Sequence, residues 1–254
     1  MDLLSMVSMA TKRRSDYMQQ AKTLAKRYPS QPALENRMKE ESIALVKGFR
    51  DKLMRWEEYE RSLLDKTLIS ALASVIIGTE DQKSNEHLEK AWPIIVGDLL
   101  PPLTQFLAET KEYIDSGQLR LGDQTADFAD SDLDGVIPGA VDLETDELGD
   151  INPEEDGVRE AQQGRAHGKD WGSLATRVAR YISSSTFAFV SLGQFMVARA
   201  LGNKEMRRID RHDKRVCPDC RNYGEAGWQP MGSLPMPGKG CQCYDRCRCK
   251  IEYR

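Results

Sequence analysis

Six cysteines, all lying between Cys217 and Cys249 of a 254-residue chain, restrict this sequence more than any other feature. The stretch 213–254 around them is rich in Gly and Pro and has no apolar face wide enough for a core of its own, so covalent or metal cross-links must hold it. A disulfide scaffold spreads cysteines through the domain it staples and accompanies a secretory leader. Met1 to Arg14 lacks the leader's order of basic region, apolar run and small-residue cleavage site. Clustered cysteines without a leader point to a metal, with three disulfides as the competing reading.

The spacing is Cys217-Pro-Asp-Cys220, then twenty residues, then Cys241-Gln-Cys243-Tyr-Asp-Arg-Cys247-Arg-Cys249. A C-x2-C turn aims two thiolates at one point, and a second cluster after a loop completes a tetrahedron about one Zn2+. Four thiolates close the site, so the zinc is structural. Cys217, Cys220, Cys243 and Cys247 are the expected ligands, with Cys249 as the substitute and Cys241 as the bystander. Lys214, Arg215, Arg221, Arg246 and Arg248 would lower nearby thiol pKa values and offset the negative charge of the site. A catalytic zinc would need an open position and a base. His167 and His212 stand in no H-x-x-E-type pattern, and no Ser, His and Asp group as a triad, so no enzyme is expected.

The fold class expected is mainly α. Residues 1–116 form a helical domain in which Leu45, Phe49, Leu53, Trp56, Tyr59 and Leu63 recur every three or four positions, along one face of a long helix. Pro29 and Pro32 separate a shorter first helix from it. Thr79–Asp81 or Ser84–Asn85 cap the next helix, and Pro93 with Pro101–Pro102 divide the stretch beyond that cap. The last segment, Leu103 to Asp115, stops at Ser116–Gly117. Helical character resumes near Trp171 and runs in one or two segments towards Leu201. Either Gly202–Asn203 ends it or a charged turn continues to His212. Residues 159–254 thus comprise a helix and then a Cys-rich loop and strand module. The apolar run Thr67–Gly78 is shorter than the roughly twenty residues a membrane span needs, and Ile182–Leu201 carries polar residues throughout, so both are expected to be buried helix faces.

Residues 117–158 read as an acidic linker, extended or disordered. Between Leu121 and Val158 there are thirteen Asp or Glu and no Lys or Arg, and the sparse apolar residues cannot offset chain entropy. Asp130-Ser-Asp132-Leu-Asp134-Gly135 matches the opening of a calcium loop, but Val141 stands where a bidentate Glu belongs. From Arg199 to Arg254 the charge turns basic, a pattern able to meet nucleic acid phosphates, with Tyr223, Trp228 and Tyr244 available to stack.

From about Phe187 onwards the chain resembles the C-terminal domain of tailed-bacteriophage minor head proteins, the Mu-F-like head morphogenesis family. The resemblance rests on Arg207-Arg-Ile-Asp-Arg-His-Asp-Lys-Arg-Val216 ending a helix, Cys217-Pro-Asp-Cys220, Gly227-Trp228, Ser233-Leu234-Pro235, Pro237-Gly238, and Cys247-Arg-Cys249 with Tyr253 after it. Many relatives have a His three residues before the final Cys-x-Cys; here Tyr244 stands there and the adjacent Cys243 takes its ligand role. The resemblance covers about a quarter of the chain. It implies a structural virion protein, a minor capsid or head-morphogenesis component present in multiple copies, associated with portal or major capsid protein, and linked to DNA packaging or ejection. The alternative is a nucleic-acid-binding zinc protein. Neither requires a membrane.

Overall fold

A computed structural model describes residues 1–79, 85–122, 171–210, 216–237, 241, 247 and 249–254. The calcium-loop match, His167, His212, Cys243 and Tyr244 lie outside them, as does the acidic linker from residue 123 onwards. The described chain is mainly α, with a small three-stranded sheet beside the cysteines near the C-terminus.

Five helices fill the N-terminal part: α1 (Leu3–Lys12), α2 (Arg14–Arg27), α3 (Gln31–Arg50), α4 (Trp56–Thr79) and α5 (Asn85–Asp115). Asp2 caps α1 by accepting from the Ser5 N–H at 2.8 Å, which satisfies one of the donors a helix start leaves over. The helical stretch before Pro29 is two helices, broken at Arg13, whose φ of −103° and ψ of 10° leave the helical region. Pro32 sits in the first turn of α3, where its missing N–H is no loss.

The long face from Leu45 to Leu63 is also divided. α3 ends at Arg50 and α4 begins at Trp56, so Leu53 points outwards, 79% exposed. The break is a Schellman cap: the Lys52 N–H bonds the Phe49 carbonyl and the Leu53 N–H the Gly48 carbonyl, with Lys52 left-handed at φ 59°. The turn keeps the aromatic residues together. Phe49 stacks on Tyr59 at 4.7 Å and meets Trp56 edge-on at 5.5 Å.

Pro93, Pro101 and Pro102 do not divide the chain as expected. α5 runs through all three, because they lie on its exposed outer side, where water can reach the carbonyls they leave unpaired. One of those, Glu89 O, also receives the Arg14 guanidinium at 3.4 Å. The helix stops where expected, with Gly117 at φ +74°.

The helix from Trp171 to Ala200 is a single element, α6. The sequence places it at the opening of the C-terminal unit, yet its first two-thirds belong to the bundle core: Trp171, Leu174, Val178, Ile182 and Phe189 are buried with residues of α2 to α5. Burying such side chains contributes roughly 1.5–3 kcal/mol each. The flanks of residues 123–170 dock at one place, the C-terminal end of α3. Gly122 donates its N–H to Arg50 O at 2.7 Å, while Trp171 donates from Nε1 to Arg120 O at 3.0 Å and meets Phe49 edge-on. Leu119 is buried there too, so the first residues of the expected linker are part of the packed structure. Helix α4 is the one helix among the described residues long and apolar enough to cross a membrane, and 72% of its most apolar window is buried inside the bundle.

Gly202, at φ +85°, ends α6; the Gly202 and Asn203 N–H groups bond back to Arg199 and Ala198 carbonyls. Beyond it the chain turns into a strand, not a helix end: β1 (Glu205–Ile209) contains the Arg207-Arg208-Ile209 of the resemblance. β1 is central, antiparallel to β2 (Gln229–Pro230) and to β3 (Lys250–Tyr253). A short helix, α7 (Pro218–Glu225), packs on β1, close enough that a Cβ on Gly224 would lie 3.1 Å from Asp210 Oδ2.

Candidate metal centre

Strand pleating assigns β1 two faces. Glu205 and Arg207 lie on the outer one. Here the Arg207 and Arg254 guanidiniums stand 4.8 and 4.4 Å from the Trp228 ring and pair with Glu252 and Glu205. Trp228 therefore stacks on arginines of its own sheet. Met206 and Arg208 lie on the inner, buried face, and against it stand the cysteines.

Cys217 caps α7, its sulfur accepting the Cys220 N–H at 3.4 Å. Pro218 fixes the first helical φ, so the C-x2-C turn arises directly from the local sequence. That turn buries Cys220 (1% exposed) and leaves Cys217 half-buried. From the other side come Cys241 (4%), Cys247 (3%) and Cys249 (3%), the last directly before β3. The sulfurs of Cys220, Cys241 and Cys247 all lie within 4.8 Å of one another, and Cys249 interacts with both Cys247 and Cys220. None of the five described cysteines is in a disulfide.

Three sulfurs grouped so closely, with a fourth beside them, could hold a metal ion. The Cys220–Cys247 sulfur separation is 3.8 Å. Zn–S bonds of ~2.3 Å in a tetrahedron place neighbouring sulfurs ~3.8 Å apart, so this edge already has the required length. Among the described residues this grouping can be set beside the ligands expected from spacing, of which Cys220 and Cys247 are in it and Cys243 lies outside the described residues. Cys241, the expected bystander, is in the group. Cys249, the substitute, is beside it. Cys217 caps α7 and packs against the group.

Sequence reasoning gave one residue of the site no role there. Arg208 is 1% exposed, and its Nη2 donates to Cys247 Sγ at 3.0 Å and to Cys220 and Cys241 Sγ at 3.4 Å each. Nη1 reaches Pro235 O at 3.3 Å, and the guanidinium lies 5.0 Å from the Tyr223 ring. A buried cation requires a negative partner. Burial alone would lower the Arg208 pKa; the charge on Cys247 and Cys220 and the hydrogen bonds to Cys241 and Cys249 outweigh it and push it up. The Cys249 thiol is pushed up as well, first by its hydrogen bond to Cys247, then by burial and by Cys247's charge. A bound divalent metal would deprotonate a coordinating thiol outright.

Phe187 of α6, Val216 and Tyr223 pack around the cysteines, and Phe195 of α6 faces Tyr253 of β3 at 6.3 Å. The cysteine cluster thus lies at the joint between the sheet and the last turns of α6. The chain matches no family model, no curated protein and no solved structure.

Proposed function

We propose that this chain is a minor head component of a tailed bacteriophage, a non-catalytic assembly protein whose C-terminal sheet is held by one structural zinc. The observation that carries the zinc is the buried group of Cys220, Cys241 and Cys247 with Cys249 beside it, with a sulfur–sulfur edge that suits tetrahedral thiolate coordination. Four thiolates would leave no position open for water or substrate, so the metal would act on folding, replacing the core that the segment lacks. The head role is supported by the order of motifs from Cys217 to Tyr253 and by the module's attachment to a helical bundle that could present a surface to portal or capsid subunits.

Two measurements test this reading. Elemental analysis of purified protein should give one zinc per chain, and co-sedimentation should show binding to portal oligomers without DNA. Protein free of transition metal, with its cysteines oxidised in pairs, would overturn the zinc. A strongly salt-dependent DNA affinity, without portal binding, would replace the assembly role by nucleic-acid binding. The pairing of Arg207 and Arg254 with Glu252 and Glu205 argues against a phosphate-binding role for that face of the sheet.

A further inference from the structure

A zinc held by four thiolates carries two net negative charges, and this group of sulfurs is almost wholly shielded from water. Such charge in a low-dielectric setting is costly unless it is compensated nearby. Arg208 is suited to compensate it: it reaches three sulfurs from one nitrogen and is fixed on the central strand of the sheet. Tyr223 covers one side of its guanidinium and the Pro235 carbonyl holds its second nitrogen. Nothing in that arrangement leaves the side chain room to serve as a solvent-facing cation.

We infer that Arg208 is the positioning residue of the cysteine centre. It donates N–H···S hydrogen bonds to the ligating sulfurs of Cys220, Cys241 and Cys247 and offsets their charge, so that the site prefers a full set of thiolates. The inference rests on the metal reading above. Groups in this position orient the ligands and tune the metal, and their loss typically costs about 10–100-fold in affinity. An arginine whose role was only to fill space would leave metal affinity indifferent to the number of thiolates it faces.

The test uses the full chain and reads zinc affinity by competition with a chromophoric chelator, with circular dichroism confirming that each variant keeps its helices. Arg208→Met and Arg208→Gln remove the charge, and either one alone carries the comparison if the other does not fold. Both should weaken zinc binding about 10–100-fold, and Arg208→Lys should recover part of the loss. The decisive comparison repeats these substitutions in Cys249→His, where a neutral imidazole replaces one thiolate. If Arg208 compensates charge, the penalty for neutralising it shrinks several-fold in that background. Equal penalties in the two backgrounds, or zinc binding unchanged by either neutral variant, would overturn the inference and leave the zinc centre standing. A wild-type protein that takes up no metal would instead sink the zinc reading, and this inference with it. Cobalt substitution adds an independent readout: the sulfur-to-metal charge-transfer band should shift on neutralising Arg208, because the donated hydrogen bonds withdraw electron density from the thiolates.

Discussion

Gly193 of α6 and Gly78 of α4 cross backbone to backbone. A Cβ on Gly193 would lie 3.0 Å from the Gly78 Cα and 2.4 Å from the Val75 carbonyl oxygen, and one on Gly78 would lie 2.1 Å from the Val190 carbonyl oxygen. Two turns away the same contact carries the buried hydrogen bond between Ser70 and Thr186 hydroxyls, 3.2 Å long. Backbone atoms cannot swing aside as a side chain would, so an added methyl must push the helices apart. Gly193→Ala should lower the unfolding free energy by roughly 1–3 kcal/mol, seen as an earlier urea midpoint. Gly78→Ala should do the same, and the double variant should cost less than the sum because a separation forced by one methyl also makes room for the other. An unchanged midpoint for either single variant would mean that α6 does not pack on α4 in this way.

Lys52 offers a change in the opposite direction. Its left-handed backbone costs a non-glycine residue roughly 1–2 kcal/mol, and the two Schellman hydrogen bonds hold it there. Lys52→Gly should stabilise the protein by about 0.5–1 kcal/mol once the greater freedom of glycine in the unfolded chain is subtracted. Lys52→Ala, which keeps the strain, should show no such gain. Denaturant titrations of the three proteins side by side decide it.

Glu35 gives the fold a pH dependence of known sign. It is half-buried on α3, where burial raises its pKa above the ordinary 4.5 while the Gln31 amide, donating at 2.8 Å, lowers it by less. The folded state therefore holds the proton more tightly than the unfolded chain. The stability this contributes is complete below pH 4.5 and is lost as pH rises through the folded value. Glu35→Gln removes the titration and keeps an amide oxygen for Gln31. Its melting temperature should exceed that of the wild type at pH 7 and match it near pH 4. A gain of equal size at both pH values would show that ionisation has no part in it.

Much of the bundle is legible in the sequence because periodicity and terminators are local. The start of α3 near Pro32 and the end of α5 before Gly117 come from backbone chemistry that needs no partner. The break at Lys52 is hidden because a lysine occupies a position that usually advertises itself as glycine. The persistence of α5 through Pro93, Pro101 and Pro102 depends on which face meets water, and that is a property of packing. At the cysteine group, spacing points to Cys220 and Cys247, which belong to it, but cannot rank Cys241, because chain path and not spacing decides which sulfurs converge. Arg208 is invisible for a related reason. The sequence Glu-Met-Arg-Arg-Ile-Asp does not alternate apolar with polar residues, so only the strand pairing of β1 reveals that Arg208 faces inwards and Arg207 outwards.

The disagreement over cysteines can be settled one residue at a time. Cys241 is buried with its sulfur among those of Cys220 and Cys247, whereas Cys217 is half-buried and accepts a backbone N–H at the start of α7. A ligand and a helix cap respond differently to serine. At a metal, the hydroxyl is a far poorer donor than thiolate, so Cys241→Ser should weaken zinc binding beyond the roughly 10–100-fold typical of residues that only support ligands. At a cap, serine accepts the N–H as well as any residue, so Cys217→Ser should leave zinc affinity within a few-fold and the melting temperature unchanged or slightly higher. The reverse ranking would place Cys217 in the coordination sphere and Cys241 outside it, returning the ligand set to the one that spacing alone suggests.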